Sequence, residues 1–356
     1  MQERVKEFNA SEIEELKERA AKGDIEAQVK LGLIYDYGFD VERDAEEAVK
    51  WYKAAAEGGD DLAQCNLSVM YANGDGVLQD LEESARLCRL SAEQECVEAQ
   101  RNLGLMYKNG EGVEQDHKEA HRWFGSAAEG GDGDAQCNLA SMYEHGIGVK
   151  QDHKEAVRLY TLSAERGNTT AIYDLAVMYE NGIGVKQDHK EAVRLYALSA
   201  ERGNTTAIYD LAVMYENGIG VKQDHKEAVR LYEIAVERGF VNAQYNLASM
   251  YEDGRGVEEN HYAAAELYRL ASEQGDADAQ YCLALMYYDG DGVEENEEES
   301  IRLFKAAAEQ GHVSAQYNLG ILYSEDNETE SVRWLKLAAE NGSKEAINEL
   351  KNKGLL

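Results

Sequence analysis

Residues 146–160, 182–196 and 218–232 carry the same fifteen letters, GIGVKQDHKEAVRLY. A Gly-x-Gly step followed by Asp, His and Lys has the residue types of a phosphate loop, a metal ligand set or a charged catalytic cluster. A dinucleotide loop, however, needs a strand before it and a helix N-terminus after it. Here the glycines follow a helical pattern, at the end where free carbonyls are partly negative and repel phosphate. They suit a tight turn between helices with positive φ. The loop recurs at Gly74/Gly76, Gly110/Gly112, Gly254/Gly256 and Gly290/Gly292. His117 and His121 in HKEAH stand four apart, which would aim two metal ligands from one helix face. No third ligand is evident, and His117 shares its column with His153, His189, His225 and His261. GxSxG and SxxK motifs are absent and the cysteines fall in different columns, so nucleophilic catalysis lacks a constellation. The expectation is no catalytic residue, no cofactor and no metal. Cys96 is a candidate exposed thiol, in a turn where Glu95 replaces the usual glycine.

The elements that carry these residues follow from a repeat. Ala27, Ala63, Ala99, Ala135, Ala171, Ala207, Ala243, Ala279 and Ala315 are spaced at 36 residues, and the tyrosines from Tyr35 to Tyr323 keep the same interval. Within one period, Ala171, Leu175 and Tyr179 form a stripe on a first helix, helix A. After the glycine loop, Asp188 with Glu191 three residues on caps a second helix, helix B. Ala192, Leu195, Tyr196 and Ala200 form its apolar face, and Arg202-Gly203 ends it. Each hairpin leaves apolar surface that only another hairpin covers. Trp51, Trp123 and Trp334 share a helix-B column with Leu87, Leu159, Leu195, Leu231, Leu267 and Leu303, all expected in the core. Residues 1–22 read as an N-terminal capping helix with Ser11 and Glu14 as a capping box, 23–342 as nine repeats, and 343–356 as a C-terminal capping helix. The last repeat lacks the glycine loop and is five residues short. Residues 146–181 and 182–217 differ only at Thr161 against Ala197, a recent duplication or a designed repetition. Duplication lengthens a surface more usefully than it multiplies an active site.

Composition narrows the function. The chain has no proline, is 44 % hydrophobic and 29 % charged, and sets 36 Lys and Arg against 69 Asp and Glu for a net charge of -33. Such a charge repels nucleic-acid phosphates and anionic lipid. The N-terminus has no apolar leader region, and no stretch reaches the roughly 18 apolar residues of a membrane span. Five cysteines without paired spacing suit a reducing compartment. The expectation is a soluble, cytoplasmic protein, with no nucleic-acid partner and no direct membrane insertion.

The pattern AQYNLGxxY, then GxGV, Asp, Ala and AAEQG resembles the Sel1-like repeat family, relatives of tetratricopeptide repeats. It is strongest in AQRNLGLMYKNGEGVEQDHKEA at 99–120 and AQYNLASMYEDGRGV at 243–257. The resemblance covers nearly the whole chain. It implies an all-α fold, a right-handed α/α superhelical solenoid of helical hairpins, and a role in assembling protein complexes rather than chemistry. Where the family often has proline after GxGV, this chain has Leu78, Glu114, Lys150, Lys186, Lys222, Glu258 and Glu294. It also lacks the regular disulfide pairs of secreted, cysteine-rich members.

In related solenoids the A helices line the concave groove. The residues just before the helix-A leucine are then the partner-binding candidates: Tyr173, Asp174, Tyr209, Asp210, Tyr245, Asn246, Tyr281, Cys282, Tyr317 and Asn318, continued upstream by Asn66, Asn102 and Asn138. Rigid tyrosines give contact area at low entropic cost and amides bond an extended backbone. Glu144, Glu180, Glu216 and Glu252 form an acidic row that favours a basic partner. The bland alternatives are that the tyrosines and amides pack between repeats and that the acids are solvated. The expected function is a non-enzymatic scaffold or adaptor for a protein or peptide segment, probable charge basic. The alternatives are an exported effector acting on host proteins and a β-lactam hydrolase-like enzyme, the second opposed by the missing SxxK and disulfides.

Overall fold

The short apolar stripes of each period are too brief to stand alone as helices, so packing decides where each begins and ends. The computed structural model describes residues 10–39 and 41–356; residues 1–9 of the expected capping segment lie outside it. The described residues form twenty α-helices and no strand. Two compact units divide the chain, residues 1–187 and 188–356.

In the N-terminal unit the helices are α1 (Ala10–Ala21), α2 (Ile25–Tyr37), α3 (Ala45–Glu57), α4 (Asp61–Asn73), α5 (Leu81–Glu93), α6 (Val97–Asn109), α7 (His117–Glu129), α8 (Gly133–His145), α9 (His153–Glu165) and α10 (Thr169–Asn181). In the C-terminal unit they are α11 (His189–Glu201), α12 (Thr205–Asn217), α13 (His225–Glu237), α14 (Val241–Glu252), α15 (His261–Glu273), α16 (Ala277–Asp289), α17 (Glu297–Glu309), α18 (Val313–Leu322), α19 (Glu328–Glu340) and α20 (Lys344–Asn352). Within each unit every helix packs on the next, giving stacked hairpins whose A helices are even-numbered. Asp or Asn caps set the register: Asp60 accepts from Ala63 N–H, and Asp152 from Lys154 and Glu155 N–H. The first glycine of the loop is the left-handed C-cap, as at Gly146 with φ 69°. The second is needed for a different reason. At Gly148 a Cβ would lie 2.3 Å from the His117 carbonyl oxygen of the preceding helix B, so the loop touches the neighbouring backbone directly.

Consecutive repeats are joined by buried polar bonds as well as apolar contact. Gln64, Gln100, Gln136, Gln280 and Gln316 each donate from Nε2 to a carbonyl in the last turn of the helix B before them, at 3.0–3.3 Å. That satisfies a carbonyl the helix end leaves open.

Two sequence expectations need correction. Ser11 lies inside α1 rather than capping it, and Glu14 pairs with Lys17 at 2.8 Å. Trp123 and Trp334 are buried but Trp51 is only half-buried, since its cluster is closed by the lone helix α1 instead of a full hairpin. Leu267 is likewise half-buried, at the edge of its cluster.

Candidate functional site

The caps and the stacking turn one helix-A face outward, and the predicted residues lie along it. Tyr209 shows how such a residue is held. Its ring lies 5.8 Å from the Tyr232 ring on helix B of the same hairpin and 5.0 Å from Phe240. Asn246 of the next repeat donates to the Tyr209 and Tyr232 hydroxyls at 3.2 and 3.1 Å. Tyr232 in turn donates to Glu216 at 2.6 Å. Tyr245 lies 5.7 Å from Tyr268. Tyr281 lies 5.8 Å from Phe304 and stacks on His312 at 4.4 Å. The tyrosines are therefore half-exposed and braced from behind, and the amide next to each reaches toward the preceding repeat.

In the N-terminal unit Asn138 accepts from Lys108 at 3.0 Å, and Asn102 lies beside the Arg101 guanidinium. Asn66, Asn102, Asn138, Tyr173 and Glu180 are half-buried there, as are Asp210, Tyr317 and Asn318 in the C-terminal unit. Tyr173, Glu180 and Asp210 all have side-chain interactions of their own. Asp174 is held differently from its asparagine counterparts. It faces Glu144, Tyr160 and His145, and burial, reinforced by the Glu144 charge, pushes its carboxyl up to about 6.

The acidic row has a structural duty that the sequence reading missed. Tyr160 donates to Glu144 at 2.8 Å, Tyr232 to Glu216 at 2.6 Å and Tyr268 to Glu252 at 2.8 Å, each from a fully buried helix-B position. A signal was available. Wherever that column holds tyrosine, helix A ends in an acid (Asp36 with Tyr52, Glu144 with Tyr160, Glu180 with Tyr196, Glu216 with Tyr232, Glu252 with Tyr268). Where it holds Cys88, Phe124 or Phe304, the acid is replaced by Ala72, Lys108 or Tyr288. A buried phenol needs an acceptor and a buried phenyl does not. Glu216 is further neutralised by Arg255, whose Nη1 lies 2.6 Å from Oε1.

The histidines that raised a metal question are placed by packing. His121 meets Tyr143 edge-on at 5.3 Å, and burial lowers its pKa. Among the described residues no three His, Cys, Asp or Glu side chains gather as metal ligands would. Cys96 is half-buried and forms the N-cap of α6, beside buried Cys65. A hydrogen bond from the Cys65 thiol lowers the Cys96 thiol to about 6. Among the described residues Glu95, just before it, is the one non-glycine with positive φ, at 68°.

One recess opens on the helix-A face. Leu285, Tyr288, Phe304, Tyr317, Asn318, Ile321 and Leu322 line a cavity of about 220 Å³ between α16, α17 and α18. No described helix is long and apolar enough to cross a membrane.

Comparison with known proteins agrees with this architecture. The Sel1 repeat family model matches nine times, at residues 25–60, 61–96, 97–132, 133–168, 169–204, 205–240, 241–276, 277–312 and 313–343. Among solved structures, the chain is similar to a protective antigen of uropathogenic Escherichia coli strains displaying an SLR fold. Identity is 36 %, the TM-score is 0.89, and 96 % of this chain and 74 % of that one are covered. A Sel1 repeat protein from Oxalobacter formigenes gives 31 % identity and a TM-score of 0.67, covering 89 % of this chain and 92 % of that one. Curated proteins give no match.

Proposed function

Because this chain belongs to the Sel1 repeat family, whose members mediate protein–protein interaction, we propose that it is a non-enzymatic scaffold holding a basic protein or peptide segment on its helix-A faces. The observation that carries this reading is the row of half-exposed tyrosines, Tyr209, Tyr245 and Tyr281, each with its ring fixed against a buried helix-B aromatic. A ring already held in place loses little freedom when a partner covers it, so its contact area is kept as affinity. The net charge of -33 supports a cationic partner. Residues 1–22 and 343–356 serve as end caps for the nine repeats. The protein works in the cytoplasm as an adaptor.

The test is capture of proteins from a cell extract on the immobilised full chain, at low salt, followed by mass spectrometry. Captured proteins should share Lys- and Arg-rich segments, elute as salt is raised, and fall several-fold in yield on an Asp134→Lys, Asp278→Lys variant. Both aspartates are exposed in first turns of A helices. Yield unchanged by that reversal, or a uniformly acidic catch, would overturn the assignment. Similarity to a protective antigen favours a second reading, export to meet host proteins. Protein found in the medium of intact producing cells would select it.

A further inference from the structure

We infer that the recess between α16, α17 and α18 is an anchor pocket for one aromatic or long aliphatic side chain of a basic, extended peptide; this rests on the scaffold reading and names the part of the partner that is gripped. The recess exists because two substitutions coincide. Elsewhere in the unit the same spot is closed by a tyrosine hydroxyl bonded to a glutamate, as in Tyr268 with Glu252 at 2.8 Å. Here Phe304 has no hydroxyl to offer and Tyr288 stands where the glutamate would be. In addition α18 stops at Leu322, after 10 residues instead of the 13 of α16, because the glycine loop is missing. Tyr288 and Ile321 are consequently 47 % and 39 % exposed at the rim.

Size and charge select the occupant. A volume of about 220 Å³ falls below the roughly 300 Å³ at which small-molecule sites begin, yet exceeds the roughly 150 Å³ that admits a benzene ring. The lining is apolar except for the Tyr288 and Tyr317 hydroxyls and the Asn318 amide, which is placed to bond a peptide backbone. The rim is acidic on both sides: Asp289 and Asp291 follow Tyr288, and Glu325, Asp326 and Glu328 follow α18. The recess also sits at the C-terminal ends of α16 and α18, where helix carbonyls favour cations. A second copy of this chain would bring another net charge of -33 to that rim and be repelled. Lysines or arginines flanking an apolar anchor fit both features.

The experiment uses labelled dodecapeptides of lysine, glycine and serine carrying one central phenylalanine or one central alanine, with a glutamate counterpart of the phenylalanine peptide, read by fluorescence anisotropy on the full chain. The phenylalanine peptide should bind about tenfold more tightly than the alanine peptide. Ile321→Asp and, separately, Tyr288→Ala should erase that difference, while Leu78→Asp, on an exposed loop of the N-terminal unit, keeps it. A benzoylphenylalanine at the anchor position should cross-link to α16 or α18. Equal binding of the phenylalanine and alanine peptides would overturn the pocket and leave the scaffold reading standing. Failure of both lysine peptides, or equal binding of the glutamate peptide, would overturn both. A dimer abolished by Ile321→Asp would give the pocket to a second copy and overturn the peptide assignment.

Discussion

At the scale of single residues, Asp174 is the place where one repeat departs from the solution its neighbours use. Asn246 donates to the Tyr232 hydroxyl, which donates to Glu216, so that chain of bonds contains one charge. In the N-terminal unit the same geometry sets Asp174 against Glu144 around Tyr160, and the Asp174 carboxyl rises to about 6. An acid whose folded pKa exceeds its unfolded one gives the folded state the extra proton. Its stabilising contribution is complete below about pH 4 and is lost as pH rises through 6. Asp174→Asn should therefore raise the thermal midpoint at pH 7.5, by a free energy on the order of 1–2 kcal/mol, and lose that advantage at pH 4. Equal gains at both pH values would sink the electrostatic explanation. Cys96 offers a second check. Its thiol is lowered to about 6, whereas burial pushes Cys88 and Cys137 up to about 12. Iodoacetamide at pH 6.5 should label Cys96 first, as read by peptide mass spectrometry. The pairing of buried tyrosine with terminal acid was present in the sequence. It went unread because a tyrosine on an apolar helix face looks like any other core aromatic until the neighbouring repeats are compared column by column.

At the scale of elements, the sequence told which helices form and where they start, because Asp and Asn caps and left-handed glycines act within a few residues of themselves. It told less about why the loop needs two glycines. The first meets only side-chain and loop atoms, with Gln151 Cβ 3.3 Å from a Cβ built at Gly146. The second abuts the backbone of another hairpin, a contact 31 residues away in sequence and invisible to local pattern, with the His117 carbonyl oxygen 2.3 Å from a Cβ at Gly148. The two should differ in cost when mutated. Gly146→Ala is expected to lose about 1 kcal/mol for the left-handed conformation alone, and Gly148→Ala about 3 kcal/mol or more, since backbone must move as well. Urea titrations followed by circular dichroism separate these, and equal losses would mean that the loop yields without disturbing the stack. The tyrosine and amide ladder was legible as a row for the same local reason that the caps were. Its mixture of bracing and exposure was not, since Asn246 reaches Tyr209 from the next repeat over 3.2 Å.

At the scale of the whole molecule, the period itself makes a prediction that no single site can. Residues 146–181 and 182–217 differ at one position, and each spans a full period of 36 residues beginning at the first glycine of a loop. In repeat proteins stability is a sum of terms for each repeat and for each interface with its neighbour. Excising 182–217 joins Asn181 to Gly218, which recreates the Asn-Gly junction already present at 181–182 and 217–218. Every cap, glycine loop and buried Tyr column then keeps its sequence neighbours. The shortened chain should remain folded, with helical signal per residue unchanged and a thermal midpoint lowered by only a few degrees. Excising 182–211 removes thirty residues and joins Asn181 to Ala212, leaving a helix-A half without its cap and shifting the columns against one another. That variant should lose cooperative melting. If both deletions behave alike, the register of the columns is not what holds the hairpins together, and the argument from repeat to scaffold loses its physical basis. If only the register-preserving deletion folds, the peptide pocket formed by α16, α17 and α18 should survive in it with unaltered affinity, because every residue that lines it lies downstream of the cut.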